Sequence, residues 1–227
     1  MTKTDDIKKI VIPGELIAEG DDYLPGEGTI KQDNGIVAMK YGIAEEQNKL
    51  VRVIALSGVY NPRRGNVIIG KVENVTFNGW IVDIGSSDKC FLNITEISRY
   101  VNQDDLDSVM GIGDVVIAKI LRLTKRGIDL TTKSRGLGKV DQGLIIKINP
   151  NKVPRVIGKE GSMINLIKEN TGCNITVGQN GLILIEGESI EKELVAKKAI
   201  LFVTEHATIN GLTDKLKEWF EKENDKI

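Results

Sequence analysis

The stretch from residue 156 to residue 164 constrains the fold of this chain more than any other. It reads Val-Ile-Gly-Lys-Glu-Gly-Ser-Met-Ile, in which two glycines three positions apart follow an apolar pair. Met163 and Ile167 are four residues apart, which predicts a helix that begins directly after Gly161. Glycine lets the backbone turn sharply against a ligand, and the free N–H groups of a helix N-terminus favour an anion. The stretch therefore predicts a loop suited to a sugar-phosphate chain, with Lys159 as its cation.

A GxxG spacing alone also fits a helical bend that binds nothing, so the neighbouring elements are needed to choose between the two interpretations. Before the loop, residues 144–148 indicate a strand and residues 150–157 a short helix. After it, we expect a hairpin over residues 172–185 and a final helix capped by Ser189. The order β-α-GxxG-α-β-β-α resembles that of a eukaryotic-type KH domain, whose GxxG loop clamps the RNA backbone. The resemblance implies RNA contacts from three loop residues, Gly158, Lys159 and Gly161.

Residues 61–137 contain five short β-rich runs, with one long polar connection after the third. This spacing predicts a five-stranded Greek-key barrel of the OB type. The region also resembles an S1 RNA-binding domain across its whole length. The positions that carry this resemblance are Gly70, Val72, Gly79, Val82, Asp83, Leu92, Asn93, Ile94, Glu96, Gly113, Asp114, Val116, Leu130, Thr131 and Lys133.

The S1 resemblance implies a binding face, but the usual aromatic side chains are displaced on it. Where the family commonly has aromatic residues and a histidine, this chain has Asn78, Ile81 and Asn93. Phe77 and Trp80 lie one position out of register. Because side chains alternate between the two faces of a strand, two roles stay open for this pair, stacking on RNA bases or packing in the core. Asn93, Phe77 and Trp80 are the candidates on this face.

Basic residues near the end of the fourth predicted strand are candidate phosphate contacts: Lys119, Arg122, Lys125 and Arg126. The alternative is a solvated, basic strand end. The whole chain has a formal net charge of −1, so charge alone does not indicate nucleic-acid binding. Only residues 61–140 are net basic, with 12 lysines and arginines against 9 aspartates and glutamates. RNA affinity must therefore come from local patches, and we expect it to depend on salt.

The chain contains few candidate catalytic residues. Its one histidine, His206, has no second histidine to work with, and its two cysteines, Cys90 and Cys173, are far apart and form no CxxC motif. Catalytic triads, zinc ribbons and disulfide frameworks are therefore not indicated. Three acidic residues could hold Mg²⁺ as in a nuclease, although a polar connection favours a solvated role: Asp104, Asp105 and Asp107. We expect no catalytic residue, metal or cofactor.

Residues 1–60 are β-rich and acidic, with turn signals at Pro25-Gly26 and Asp33-Asn34-Gly35. So small a unit is expected to need a partner surface to bury its apolar faces. The fold class is therefore multidomain β and α+β. The predicted divisions are an N-terminal β domain over 1–60, an S1 barrel over 61–137, a KH domain over 138–208, and an amphipathic C-terminal helix over 209–227.

The order of these parts resembles the RNA-binding cap subunit of the archaeal exosome, of the ribosomal-RNA-processing protein four type. The resemblance implies a non-catalytic, trimeric cap, three copies of which sit on a ring of ribonuclease-PH-like subunits and dock through residues 1–60. Such a cap recruits single-stranded RNA with A-rich 3′ ends and feeds it through the pore for 3′-to-5′ degradation. Mixed caps that include a zinc-ribbon sister protein are a further option.

The N-terminus carries no apolar signal segment, and no apolar run is long enough to span a membrane. A cytoplasmic protein with no membrane partner is therefore expected. Two other functions stay open at this point. One is a transcription elongation or antitermination factor with S1 and KH domains, and the other is an Mg²⁺-dependent hydrolytic RNase that uses the acidic connection.

Overall fold

The chain divides at Gly58 into two units, Met1–Gly58 and Val59–Ile227. The computed structural model describes residues 9–98, 102, 105–207 and 211–224. No helix within these ranges is long and apolar enough to cross a membrane. The fold class predicted from the sequence, a multidomain β and α+β protein, is confirmed by the elements of the two units.

The N-terminal unit consists of short strands joined by tight turns. They are β1 (Lys9–Val11), β2 (Leu16–Glu19), β3 (Leu24–Pro25), β4 (Thr29–Gln32), β5 (Gly35–Ala38), β6 (Gly42–Gln47) and β7 (Leu50–Ala55). One sheet has the order β1-β6-β7-β3 and the other the order β2-β5-β4. The predicted turn at Asp33 joins β4 to β5, and Asp33 has a φ of 47° there. The core between the strands is small and is formed by Val11, Ala38, Ala44 and Val53.

The second unit begins with a closed barrel of five strands. They are β8 (Val67–Thr76), β9 (Gly79–Asp83), β10 (Cys90–Asn93), β11 (Val115–Thr124) and β12 (Gly127–Thr131). Neighbours pair in the order β12-β10-β9-β8-β11, and an additional β11–β12 pairing closes the ring. Only the pairing of β10 with β12 is parallel among these, as in an OB-type barrel. A 3₁₀ turn (Ile94–Glu96) and helix α1 (Leu106–Val109) lie in the connection after β10.

A sixth strand extends this sheet beyond the barrel. Residues 136–139 resemble a hinge in the sequence, but β13 (Gly138–Val140) pairs with β11, with Gly138 opposite Ile117. The chain therefore leaves the sheet only after Val140. The backbone hydrogen bonds of this pairing hold Gly138 and Lys139 in the sheet.

The remaining elements follow the predicted KH order. They are β14 (Leu144–Lys147), α2 (Val153–Ile157), α3 (Ser162–Thr171), β15 (Asn174–Val177), β16 (Leu182–Glu186), α4 (Ile190–Glu205) and α5 (Leu212–Asn224). The antiparallel sheet has the order β14-β16-β15, and the helices cover one of its faces. The Ser189 hydroxyl accepts a hydrogen bond from the Lys192 N–H, as expected of a helix cap. The apolar stripe of α5 is packing, because Leu216 and Phe220 are buried in the KH core.

The loop between β15 and β16 joins the KH domain to the barrel. Asn180 is buried there, and its side-chain amide donates to the carbonyl oxygens of Ile69 (2.7 Å) and Ile84 (3.0 Å). Its side-chain oxygen accepts from the Ile69 N–H at 3.3 Å. Apolar packing continues the contact, since Leu184 on the outer face of β16 lies against Ile69 and Ile117 of the barrel. The barrel and the KH domain therefore share one continuous interface.

Candidate nucleic-acid interface

The β11–β12 hairpin carries the most accessible basic residues of the barrel. Residues 121–126 are all exposed, and Lys125 and Arg126 form the two-residue turn. A bulge between Ile120 and Arg122 interrupts the ladder. Bulges bend a strand and re-aim its side chains. The hairpin therefore presents two cations at its tip, where a flexible polyanion can reach them from solvent.

The other two predicted cations of this strand are less free. The Arg122 guanidinium forms an ion pair with Asp129 on the neighbouring strand, so part of its charge is already compensated. Lys119 is half-buried in the middle of the sheet, between Val67 and Thr131, and has no ion-pair partner within the ranges that the structure describes. Electrostatic attraction to phosphate is therefore expected to be strongest at Lys125 and Arg126, weaker at Lys119 and weakest at Arg122.

Phe77 lies in the turn between β8 and β9 and is 79% exposed. Asn93 is close to this turn, because Asn93 pairs with Gly79 and the next residue, Ile94, donates its N–H to the Asn78 carbonyl at 2.9 Å. The Asn93 side-chain oxygen accepts from the N–H and the hydroxyl of Thr95, both at 2.9 Å. Asn93 therefore caps a turn, whereas the Phe77 ring is available to a ligand.

Trp80 does not belong to the interface. Its side chain has no exposed surface, and its indole N–H donates to the Met110 carbonyl oxygen at 2.7 Å. Along β9, Trp80 and Val82 point into the barrel, while Ile81 lies on the outer side. A ring without an exposed face cannot stack on a base, so the candidacy of Trp80 for RNA stacking is corrected. Of its two possible roles, the core role is the one that the structure shows.

The GxxG loop has the backbone geometry that its sequence indicates. Gly158 has φ 75° and ψ 176°, a conformation open to glycine alone, and a Cβ there would lie 2.8 Å from Met163. Gly161 has a φ of 81° and directly precedes α3. Lys159 and Glu160 are both exposed at the tip of the loop. The loop therefore presents a cation and an anion side by side, which weakens its attraction for phosphate relative to the β11–β12 hairpin.

The described side chains do not form a metal site. Within the described ranges, no group of three or more histidine, cysteine, aspartate or glutamate residues could hold a metal ion. Asp105 and Asp107 are described, whereas Asp104 lies outside the described residues. Burial raises the pKa of the Cys90 thiol to about 11, so Cys90 is a protonated thiol at neutral pH. Its chemical role is that of a small core residue.

Apolar side chains form two exposed rows on the sheets of the N-terminal unit. The first row crosses three strands, since Ile43 pairs with both Ile10 and Ile54, which are 54% and 45% exposed. The second row consists of Val37, which is half-buried, and its strand partners Leu16 and Ile30, which are 43% and 47% exposed. Alternation along short strands puts one apolar residue in the core and the next on the surface. Both rows are the kind of surface that a protein partner covers.

Sequence reasoning missed the role of the loop over residues 178–181. Its Gly-Gln-Asn-Gly sequence indicates only a hairpin turn, yet it joins the KH domain to the barrel. One signal was present in β16, where apolar residues occupy both faces. Ile183 and Ile185 fill the KH core, while Leu182 and Leu184 contact the barrel. A strand that is apolar on both faces is buried on both, which predicts a second packed layer.

Together these features define a modular RNA-binding protein, with an S1-like OB barrel joined to a KH domain. The KH domain family matches residues 143–202, and the family described as the N-terminal region of the exosome complex exonuclease RRP4 matches residues 10–45. The chain belongs to the family of exosome complex component Rrp4.

Relatives of that name cover most of the chain. The Rrp4 of Methanothermobacter thermautotrophicus is 40% identical over 216 residues, which are 95% of this chain and 68% of the relative. The Rrp4 of Nitrosopumilus maritimus is 39% identical over 97% of this chain and 99% of its own length. A crystal structure of a protein assigned as an exosome complex RNA-binding protein superposes with a TM-score of 0.67. It is 36% identical and covers 74% of this chain and 98% of its own.

Proposed function

We propose that this chain is a non-catalytic RNA-binding cap subunit of a cytoplasmic exosome. It recruits single-stranded RNA with A-rich 3′ ends and feeds the strand through the pore of a ribonuclease-PH-like ring for 3′-to-5′ degradation. The observation that carries the proposal is the exposed basic turn, Lys125 and Arg126, on the barrel of a chain that belongs to the Rrp4 family. Three copies on one ring would multiply a modest affinity by avidity.

The basic hairpin supplies the first test. Each phosphate contact with a single strand contributes about 0.7 to the slope of log affinity against log salt. Replacing Lys125 and Arg126 by alanine should therefore weaken binding of a fluorescent oligoadenylate and reduce that slope by about 1.4. The matched control replaces Lys215 and Lys217, both exposed on α5, by alanine. An unchanged slope in the hairpin variant would place the RNA path elsewhere.

The two apolar rows supply the test of assembly. If Ile54→Lys abolishes co-purification with ribonuclease-PH-like subunits, the first row contacts the ring. If Ile30→Lys abolishes it, the second row contacts the ring. We expect at least one of them to do so, because a lysine in a packed apolar interface buries an unpaired charge. The control is Ile190→Lys, since Ile190 is 75% exposed on the KH domain. Full retention of the ring by both variants would refute docking through this unit.

The proposed lack of catalysis is tested with the purified chain. Labelled RNA incubated with Mg²⁺, or with phosphate and Mg²⁺, should remain intact, whereas the ring alone should degrade it and the assembled complex should do so faster. Degradation by the chain alone, lost in Asp105→Asn or Asp107→Asn, would favour the hydrolytic alternative instead.

A further inference from the structure

A groove with a volume of about 320 Å³ lies between the end of β8 and the connection that precedes β11. Val75 and Leu106 form its apolar floor, and Leu106 is almost fully buried. Phe77 and Ile112 lie at its rim and are 79% and 71% exposed. Two large apolar side chains so exposed beside one groove are a surface that a ligand would cover.

Two polar side chains at the same groove are unpaired within the described ranges, whereas the Thr76 hydroxyl donates to the Gly79 carbonyl oxygen at 2.9 Å. Asn74 and Asp107 both line it, and neither side chain has a hydrogen bond or ion pair in the part of the chain that the structure describes. An aspartate carboxylate such as that of Asp107 only accepts hydrogen bonds, whereas the Asn74 amide can donate and accept. The stem of Lys71 lies against Gly113, next to Ile112, so a cation stands near one end of the groove. The groove thus combines two apolar residues at its rim, two unpaired polar side chains and a nearby lysine.

We propose that this groove holds one nucleobase of the bound RNA strand and that Asp107 selects bases with an exocyclic amine. The proposal rests on the proposed RNA-binding function and specifies which bases it favours. A flat ring stacks on Phe77 and packs against Ile112, and Lys71 offers a contact to the adjoining phosphate. Exposed aromatic residues on OB barrels stack bases in this way, and the turn between the first two strands is one of the loops that such barrels use.

The carboxylate of Asp107 accounts for the selection. Adenine, cytosine and guanine each present an amine that donates a hydrogen bond to it, and adenine also offers the N6 and N7 pair that an asparagine recognises. Uracil has carbonyl oxygens at the corresponding positions, and these face the carboxylate with like partial charge. Uracil does carry one N–H, but it lies between two carbonyl oxygens, so approach to that N–H brings both oxygens near the carboxylate.

The test uses the full chain and fluorescent oligomers of adenylate, cytidylate and uridylate of equal length. Parent protein should bind the adenylate and cytidylate oligomers several-fold more tightly than the uridylate oligomer. Phe77→Ala should weaken adenylate binding about tenfold, as expected for the loss of one base stack, and Phe77→Trp should restore it. Asp107→Asn should bring the adenylate-to-uridylate ratio close to one. Asp88→Asn is the control, because Asp88 is exposed elsewhere on the barrel and its replacement changes net charge equally.

The outcomes separate the two proposals. If the parent protein binds none of the oligomers, the proposed RNA-binding function fails. If the parent binds RNA but Phe77→Ala and Asp107→Asn keep its affinities and ratios, the proposed function stands and the groove assignment is overturned. If Phe77→Ala releases a protein partner from the assembled complex and leaves RNA affinity unchanged, the groove is a protein contact, which also overturns the assignment.

Discussion

Replacing Asn180 tests how strongly the KH domain depends on the barrel. Its side chain makes three hydrogen bonds, all to the backbone of Ile69 and Ile84 in the barrel. Ile69 and Ile84 are buried, with 0% and 2% of their surfaces exposed, so water cannot easily replace the lost partners. Asn180→Ala leaves one N–H and two carbonyl groups of the barrel without those bonds.

The magnitude follows from the number of bonds. A net contribution of about 1 kcal/mol for each hydrogen bond gives roughly 3 kcal/mol, and partial entry of water or relaxation would lower this toward 2 kcal/mol. For a unit of this size, such a loss lowers the melting temperature by about 4 to 12 °C. Asn180→Asp should cost more, because a buried carboxylate cannot donate to two carbonyl oxygens and loses its hydration as well.

Urea denaturation followed by tryptophan fluorescence and circular dichroism measures this effect. Trp80 reports on the barrel and Trp219 lies beside α4, so the two parts of the unit can be followed together. The control is Asn174→Ala, because Asn174 is exposed and its side chain donates to Glu186 on the same sheet at 2.9 Å. It should cost less than about 1 kcal/mol. If Asn180→Ala costs no more than the control, the loop does not hold the two domains together.

Three further predictions test other conclusions. Gly158→Ala should destabilise the KH domain by roughly 2 to 4 kcal/mol, from its backbone conformation and a contact under 3 Å, whereas Gly161→Ala should cost only about 1 to 2 kcal/mol. Trp80→Phe should cost roughly 2 to 3 kcal/mol by leaving a cavity and a lost hydrogen bond, with RNA affinity unchanged. The pKa of Asp114 is lowered below 3.8, mainly by a hydrogen bond from Lys139 and next by one from the Gly111 N–H. The ionised carboxylate therefore stabilises the fold above pH 3.8, and this stabilisation is lost as pH falls through the lowered pKa.

Each of these results has a contrary outcome. Equal urea midpoints for Gly158→Ala and Gly161→Ala would contradict the strained geometry at Gly158. A loss of RNA affinity in Trp80→Phe, at temperatures where it is fully folded, would return that residue to the interface. The difference in urea midpoint between the parent and Asp114→Asn should shrink between pH 6 and acidic pH. A difference independent of pH would show that the ion pair of Asp114 with Lys139 contributes nothing to stability.

Much of the fold could be predicted because its local signals agree with its tertiary structure. The turn glycines, the period-two apolar runs and the helical spacing after the GxxG loop each indicate one element, and the observed order is that of an OB barrel and a KH domain. Gly136 and Gly138 indicate a hinge in the sequence, yet Gly138 lies in β13. Glycine indicates backbone freedom but not whether an open strand edge is near. That edge, on β11, accepts β13 as a partner.

The candidate site could be predicted only in part. The basic turn at Lys125 and Arg126 follows from the sequence, since a two-residue hairpin turn is exposed wherever the hairpin lies. The compensation of Arg122 by Asp129 depends on strand register, and the bulge beside Arg122 shifts that register by one residue. Phe77 and Trp80 are three positions apart, yet one is in a turn and the other in the core. Both are aromatic, so residue type does not explain why one is exposed and the other is buried.

Most of the elements and their order follow from local patterns in the sequence, because helical and strand periods, turn residues and caps act over a few neighbouring residues. The near-neutral charge of the chain also indicates that any attraction for RNA must be local. Which side chains meet depends instead on the tertiary structure. The groove beside Phe77 brings residues 74–77 together with Leu106, Asp107 and Ile112, and Asn180 bonds to Ile69 across 111 positions of sequence. Such contacts depend on how whole sheets pack, which local patterns do not specify.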